Sequence, residues 1–266
     1  MRASVIQFDV RPGEITVNEE QAAEYIAKAA EAGAEVVTLP ELWNCGYQLA
    51  DLHTLAQNMR GSSIRLLQKY AKKYGIFIFG GSIAEKKEKH FYNTAVAINA
   101  QGDIIAKYRK AHLFPYGLEE EKFFAPGNEW VLADTPWGKA GMMICYDLRF
   151  PEFVRNLVLR GAKFLVAPAQ WPGVRLENWL VLAQARAIEN QVFMLATNRT
   201  GTDPSGKYDG GSLIVSPWGD VLARGYSEAG AYTADLDFSI IEHAKSRIPS
   251  LECRRRILDE IDDSQI

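Results

Sequence analysis

Cysteine and histidine are scarce in this chain, at three and four residues of 266. Cys45, Cys145 and Cys253 are odd in number and far apart, which excludes a disulfide framework and metal-type spacing. His53, His90, His112 and His243 are scattered as well, so no metal is expected. Unpaired thiols imply a reducing, cytoplasmic setting. An excess of one charge is also lacking. Thirty basic residues against 33 acidic ones give a net charge of −3 with the signs interspersed, which argues against a nucleic-acid groove or a basic membrane-binding face. The apolar part of Met1–Asp9 is far too short for a signal-peptide core or a membrane span. There is no internal repeat, low-complexity tract, glycine-rich phosphate loop or dinucleotide fingerprint, so no cofactor is expected and small molecules are the expected partners.

What is present is enough apolar material, 47% of residues, for one large core. One domain is expected over residues 1–247. The tail 248–266, rich in Arg and Asp, leaves the compact pattern and is expected to pack on a partner subunit or to run over the surface.

The chain opens as strand (2–9), helix (Val17–Gly33) and strand (Ala34–Pro40), a βαβ start that predicts a parallel pair with active-site loops at the carboxyl ends of the strands. Helical stretches follow at Asp51–Asn58 and Ser62–Tyr74, then strands at Gly75–Ile83, Phe91–Asn99 and Ile104–Lys110 with a charged hairpin tip at Glu85–His90. The pattern is lost from His112 to Gly127, an aromatic, acidic and proline-containing loop of the length that tends to be functional. Strands at Trp130–Ala133 and Ala140–Ile144 lead to Cys145. The second half continues with helices at Pro151–Arg160, Leu176–Asn190 and Phe238–Arg247, and with strands at Lys163–Ala167, Val192–Thr197, Ser212–Ser216, Asp220–Arg224 and Gly230–Asp235. A Gly/Asp-rich loop is expected over Asn198–Gly211. Many strands with interspersed helices suggest an α/β sandwich of two sheet layers covered by helices.

In Gly141–Glu152 an apolar run ends abruptly at Cys145 and a polar turn begins directly after it, which is how a nucleophile is presented at a strand end. Helix N-terminal amides near such a turn offer positive potential to a thiolate and to an oxyanion. Taken alone, a lone cysteine is more often a small buried hydrophobe. Glu41 and Lys110 share its position type, each following an apolar strand at its carboxyl end, so three such ends can converge on one site. Separately, Glu41 reads as a helix-cap partner and Lys110 as a solvated charge.

The segments LPELWNCGY around Glu41, KYRKAHLF around Lys110 and GMMICYDLRFPE around Cys145 resemble, in order, the three signature regions of the nitrilase superfamily of carbon–nitrogen hydrolases. AQWP, ARAIENQVF and NRTG resemble its downstream stretches. The resemblance covers nearly the whole chain and implies a four-layer αββα sandwich, a Glu41–Lys110–Cys145 catalytic triad and subunits that form a homodimer or higher homo-oligomer. A thiol with an ordinary pKa near ~8.5 is mostly protonated at neutral pH and needs a base. Glu41 is expected to fill that role and later to serve as acid and as activator of water. Lys110 and the N–H of Tyr146 are expected to stabilise the oxyanion. The resemblance also implies a second glutamate in the loop after the lysine. Counting seven residues back from Gly127 picks Glu120, with Glu119 and Glu121 flanking it.

His112 merits weighing, because Cys–His is the commoner thiol-hydrolase pairing, yet no Asn or Asp partner is identifiable and a loop-supporting role is expected. Within the superfamily the sequence is most similar to the omega-amidase branch, whose substrates are short dicarboxylic monoamides such as 2-oxoglutaramate and 2-oxosuccinamate. Asn178 departs from the histidine that many relatives carry before Trp179. Arg149 is a candidate for a bidentate contact with a substrate carboxylate or for a structural ion pair, and Trp171 and Tyr47 are candidate pocket walls. The other readings are a nitrilase or aliphatic amidase, an N-carbamoyl amino acid hydrolase with the same triad, and a non-catalytic dimeric scaffold.

Overall fold

The computed structural model describes residues 1–117 and 119–255. In chain order the elements are β1 (Arg2–Gln7), α1 (Ile15–Glu31), β2 (Val36–Thr38), α2 (Leu52–Leu55), α3 (Ser62–Tyr74), β3 (Phe77–Lys87), β4 (His90–Ile98), β5 (Ile104–Arg109), β6 (Val131–Thr135), β7 (Gly138–Met142) and α4 (Pro151–Leu159). Then come β8 (Ala162–Pro168), α5 (Leu176–Asn190), β9 (Phe193–Thr197), β10 (Thr200–Asp203), β11 (Gly206–Asp209), β12 (Leu213–Val215), β13 (Val221–Arg224), β14 (Gly230–Asp235) and α6 (Ser239–Arg247).

Two six-stranded sheets form, in the orders β14-β1-β2-β3-β4-β5 and β13-β12-β9-β8-β7-β6. The period-2 alternation of each strand decides what each sheet faces. In β1, Ala3 and Val5 point into the layer between the sheets while Ile6 joins the core under α1 and α3; in β4, Ala95 and Ala97 take the first side and Val96 and Ile98 the second. Across the inter-sheet layer Phe79 meets Phe164 edge to face, with ring centroids 5.8 Å apart. Helix α1 buries Asn18, Ala22, Ile26 and Ala29, and α3 buries Ser63, Ile64, Leu67 and Ala71, each a one-sided stripe at helical spacing. On the opposite side α4 packs on β7 and β8, and α5 on β9 and β12. The layers run helix, sheet, sheet, helix, as the αββα expectation has it.

Three local departures from the sequence reading bear on the site. Strand β2 is shorter than Ala34–Pro40, because the register of β3 against β4 shifts between Phe79 and Ser82 and the ladder with β2 stops at Thr38. There Gly81, at φ +58, lets the backbone approach Pro40, whose carbonyl accepts the Ser82 N–H at 3.1 Å. Strand β7 ends at Met142, so Cys145 stands on a turn beyond it. The Asn198–Gly211 loop contains the β10–β11 hairpin, whose Gly, Asp and Ser residues read as loop from composition. The start of the tail folds back, with Gln191 Nε2 donating to the Ile248 carbonyl at 2.8 Å; the rest of the tail, from 256 onward, lies outside the described residues.

Candidate active site

Glu41 follows β2, Lys110 follows β5, and both side chains reach one point between the sheets. Lys110 Nζ donates to Glu41 Oε1 at 2.8 Å, and its ammonium lies 2.8 Å from Glu120 Oε2. All three side chains are buried. Glu119 and Glu121 are exposed, so among the three consecutive acids the structure brings Glu120 to the site. The Glu120 carboxylate also accepts from Tyr47 Oη at 2.7 Å and from the Phe114 N–H at 2.8 Å, which ties the aromatic loop to the lysine. Asn93 Nδ2 donates to Glu41 Oε1 at 2.8 Å, and the Gln170 N–H donates to Oε2 at 2.9 Å. Both glutamine and asparagine escaped the sequence reading, since an amide inside an apolar strand or after a proline carries no pattern of its own.

Cys145 comes from the other sheet. It sits at φ +47, a left-handed conformation uncommon outside glycine, at the head of a 3-10 turn spanning Cys145–Arg149. The turn is held by Asp147, whose carboxylate accepts from the Ile144 N–H at 2.8 Å, Tyr108 Oη at 2.7 Å and the His112 N–H at 3.0 Å. His112 Nδ1 lies 2.7 Å from the same carboxylate, and its ring stacks on Phe150 at 3.7 Å. The histidine thus supports the loop, and the acidic partner that the sequence did not disclose is Asp147.

Electrostatically the cluster is over-supplied with acid. Burial pushes the Cys145 thiol well above its ordinary range, and the Glu41 charge and hydrogen bond push the same way while Lys110 opposes them. The resting sulfur is therefore a thiol, in contrast to the electropositive setting expected from the turn alone. Burial also disfavours the Lys110 ammonium, but the charges of Glu120 and Glu41 outweigh it and the lysine stays protonated. Burial and the neighbouring Glu41 raise the Glu120 carboxyl, with Lys110 opposing.

A cavity of about 320 Å³ opens over Cys145. Tyr47, Tyr146, Arg149 and Trp171, all singled out in the sequence, line it, joined by Gln170, Arg175, Ser205 and Tyr208. The Arg149 guanidinium lies over the Trp171 ring, 4.7 Å from its centroid, and no acidic side chain among the described residues forms an ion pair with it. Asn178 is exposed and off the cavity wall, so its departure from histidine leaves the pocket lining untouched. Among the described residues no three His, Cys, Asp or Glu side chains are grouped to hold a metal ion, and no helix is long and apolar enough to cross a membrane.

The sequence profile described as carbon-nitrogen hydrolase matches residues 2–246. A 2-oxoglutaramate amidase of Bacillus subtilis is 40% identical over 255 residues, covering 96% of this chain and 98% of that one. An omega-amidase of Xenopus laevis is 34% identical over 273 residues, covering 99% and 98%. Among solved structures, a carbon-nitrogen hydrolase from Helicobacter pylori superposes with a TM-score of 0.91 at 26% identity, covering 100% of this chain and 98% of its own.

Proposed function

The chain belongs to the carbon-nitrogen hydrolase family of the nitrilase superfamily, and from that premise we propose that it is an omega-amidase-type thiol enzyme that releases ammonia from a short dicarboxylic monoamide. The observation that carries the chemistry is the convergence of Glu41, Lys110 and Cys145 from two sheets at one buried point below the cavity. In the proposed reaction Glu41 takes the thiol proton as sulfur attacks the amide carbon. The oxyanion forms beside the Lys110 ammonium and the Tyr146 N–H. Glu41 then passes its proton to the departing ammonia and, in the second half-reaction, removes one from the water that cleaves the thioester. Glu120 keeps Lys110 in place.

The substrate assignment rests on the wall. Two arginines, Arg149 and Arg175, face the cavity and no Asp or Glu is among its described lining residues, so an anionic group far from the scissile amide is favoured there. Arg149, stacked on Trp171 and unpaired with any acid among the described residues, is the proposed carboxylate contact. The relatives named for 2-oxoglutaramate and omega-amides support the same class. The proposal includes a homodimer, since Leu159 of α4 and Val181 and Ile188 of α5 leave apolar side chains exposed on one helical layer.

Ammonia release from 2-oxoglutaramate, 2-oxosuccinamate, glutamine, carbamoyl-β-alanine, aliphatic amides and nitriles tests the assignment, with Cys145→Ala as control. We expect Cys145-dependent turnover strongest on the two keto-acid amides. Strongest turnover on a nitrile or carbamoyl compound would retain the triad and reject the substrate.

A further inference from the structure

The segment Asn198-Arg199-Thr200-Gly201 follows β9 and has no part in the reaction as written above. Arg199 is nonetheless, among the described residues, the largest charged side chain with no solvent exposure. Each of its three guanidinium nitrogens is engaged. Nη1 donates to Asp203 Oδ2 at 2.6 Å and to the side-chain oxygen of Gln170 at 3.1 Å, Nη2 donates to Asp9 Oδ1 at 3.1 Å, and Nε donates to the Thr200 carbonyl at 3.0 Å. A buried charge with two acidic partners is costly to assemble unless its geometry is fixed on every side.

What it fixes is the residue that holds Glu41. Gln170 donates its N–H to Glu41 Oε2 at 2.9 Å and its side-chain amide to the Glu41 carbonyl at 2.7 Å. With its amide nitrogen so engaged, its oxygen is left to accept from Arg199, and this sets the amide orientation. The neighbouring Asn198 clamps the next residue, accepting from the Trp171 N–H at 2.7 Å and donating to the Trp171 carbonyl at 3.0 Å. Thr200 donates its N–H to the Phe8 carbonyl at 3.0 Å, which brings the end of β1 alongside. Gly201, at φ +97, has no Cβ where one would collide with the Asp9 carboxylate, so Asp9 can reach the arginine.

We propose that Arg199 is a positioning residue for the general base: acting through Gln170, it sets the placement of Glu41 against Cys145. The proposal rests on the reading of Glu41 as base. It assigns each residue of the segment a part in holding the Gln170–Trp171 pair, which carries one contact to the base and one wall of the cavity.

The test uses alkylation of Cys145 by iodoacetamide, resolved by peptide mass spectrometry, which reports the activated thiol without any choice of substrate. Exposed Cys253 is the internal control. The variants are Gln170→Leu, Arg199→Lys, both together, and Glu41→Gln. Gln170→Leu leaves the pairs of Arg199 with Asp9 and Asp203 in place, so it retains the fold even where changing the arginine does not.

Gln170→Leu and Arg199→Lys are each expected to slow Cys145 alkylation about tenfold, the equivalent of ~1.4 kcal/mol. We expect kcat on the best amide of the panel to fall with it, KM to stay within about twofold, and the double variant to be no slower than the worse single one. Unchanged alkylation in Gln170→Leu, multiplying effects in the double variant, or a rise in KM at constant kcat would each overturn the proposal. Should Glu41→Gln turn over the best amide of the panel at the parental kcat, the base assignment fails, and that outcome is distinct from failure of the relay alone.

Discussion

Arg109 and Lys110 are adjacent in sequence, yet they join two acid–base clusters of opposite character. Arg109 turns to Glu85, which it meets at 2.8 Å with Lys107 at 3.2 Å and Thr94 Oγ1 at 2.8 Å. Lys110 turns inward to Glu41 and Glu120. In the outer cluster two cations, both partly open to solvent, serve one carboxylate, and although burial pushes its pKa up, the hydrogen bonds and charges from Arg109, Thr94 and Lys107 win and the Glu85 carboxyl is held below its ordinary value. In the inner cluster one cation serves two carboxylates with no solvent at hand, burial wins, and Glu120 goes up. The same residue types make a tether with a lowered carboxyl in one place and a buried cluster with a raised one in the other, and the ratio of cations to acids together with access to water decides which.

The comparison breaks most visibly at Lys110. Lys110→Met should lower kcat by about 10²–10³-fold through loss of oxyanion stabilisation. It should also destabilise the fold by about 3 kcal/mol in urea melts near neutral pH, with a smaller loss in acid as Glu120 takes up a proton. Single-turnover kinetics and the urea melts read the two effects separately, and an unaltered rate would remove Lys110 from the chemistry.

Acid sharpens the contrast, because the two glutamates respond with opposite sign. Glu85 sits below the ordinary 4.5, so the stability it contributes is present above that pH and lost as pH falls through its lowered folded value. Glu120 sits above 4.5, so its contribution is complete below that pH and is lost as pH rises through the raised value. Thermal melts from about pH 7 to about pH 3 should show the deficit of Glu85→Gln shrinking towards acid and that of Glu120→Gln growing. Slopes of the same sign would mean that the two clusters are electrostatically alike.

The smallest effect is expected from Glu85→Gln at neutral pH. Its partners Lys107 and Arg109 are partly exposed and can turn to water, so the cost should be about 1–2 kcal/mol, with turnover unchanged. A loss of turnover there would show that the outer cluster reaches the site through Lys110.

Only one of these two clusters was visible in the sequence. Strand-end positions point to Glu41, Lys110 and Cys145, because these three follow apolar runs whose period fixes where they stand, while Glu120 comes only from the resemblance to the family's segments. Glu85 read as part of a hairpin tip; it lies inside β3, since the charged run at 85–87 is still paired with Phe91 and Tyr92. Helix α5 and strand β14 keep their expected bounds, while β7 is shifted two residues towards the N-terminus and ends at Met142, because Ile144 gives its N–H to Asp147 in place of the ladder. Asn93, Gln170 and Asp147 were silent for a different reason. Their roles come from contacts across 52, 129 and 35 residues of chain respectively, and no local pattern encodes such distances.

Glu41 and Lys110 ride on one sheet and Cys145 on the other, so their alignment depends on the way two apolar faces seat against each other, together with the polar links from Gln170 to Glu41 and from Tyr108 and His112 to Asp147. The seating combines small residues, Ala3, Ala95, Ala97, Ala133 and Ala140, with larger ones such as Phe79 and Phe164, and Thr38 and Thr197 are hydrogen-bonded across the gap near the site. The protein behaves in this respect like a pair of jaws, and a shift in the fit between the two faces, away from Glu41, Lys110 and Cys145, would blunt the bite while both sheets stayed intact.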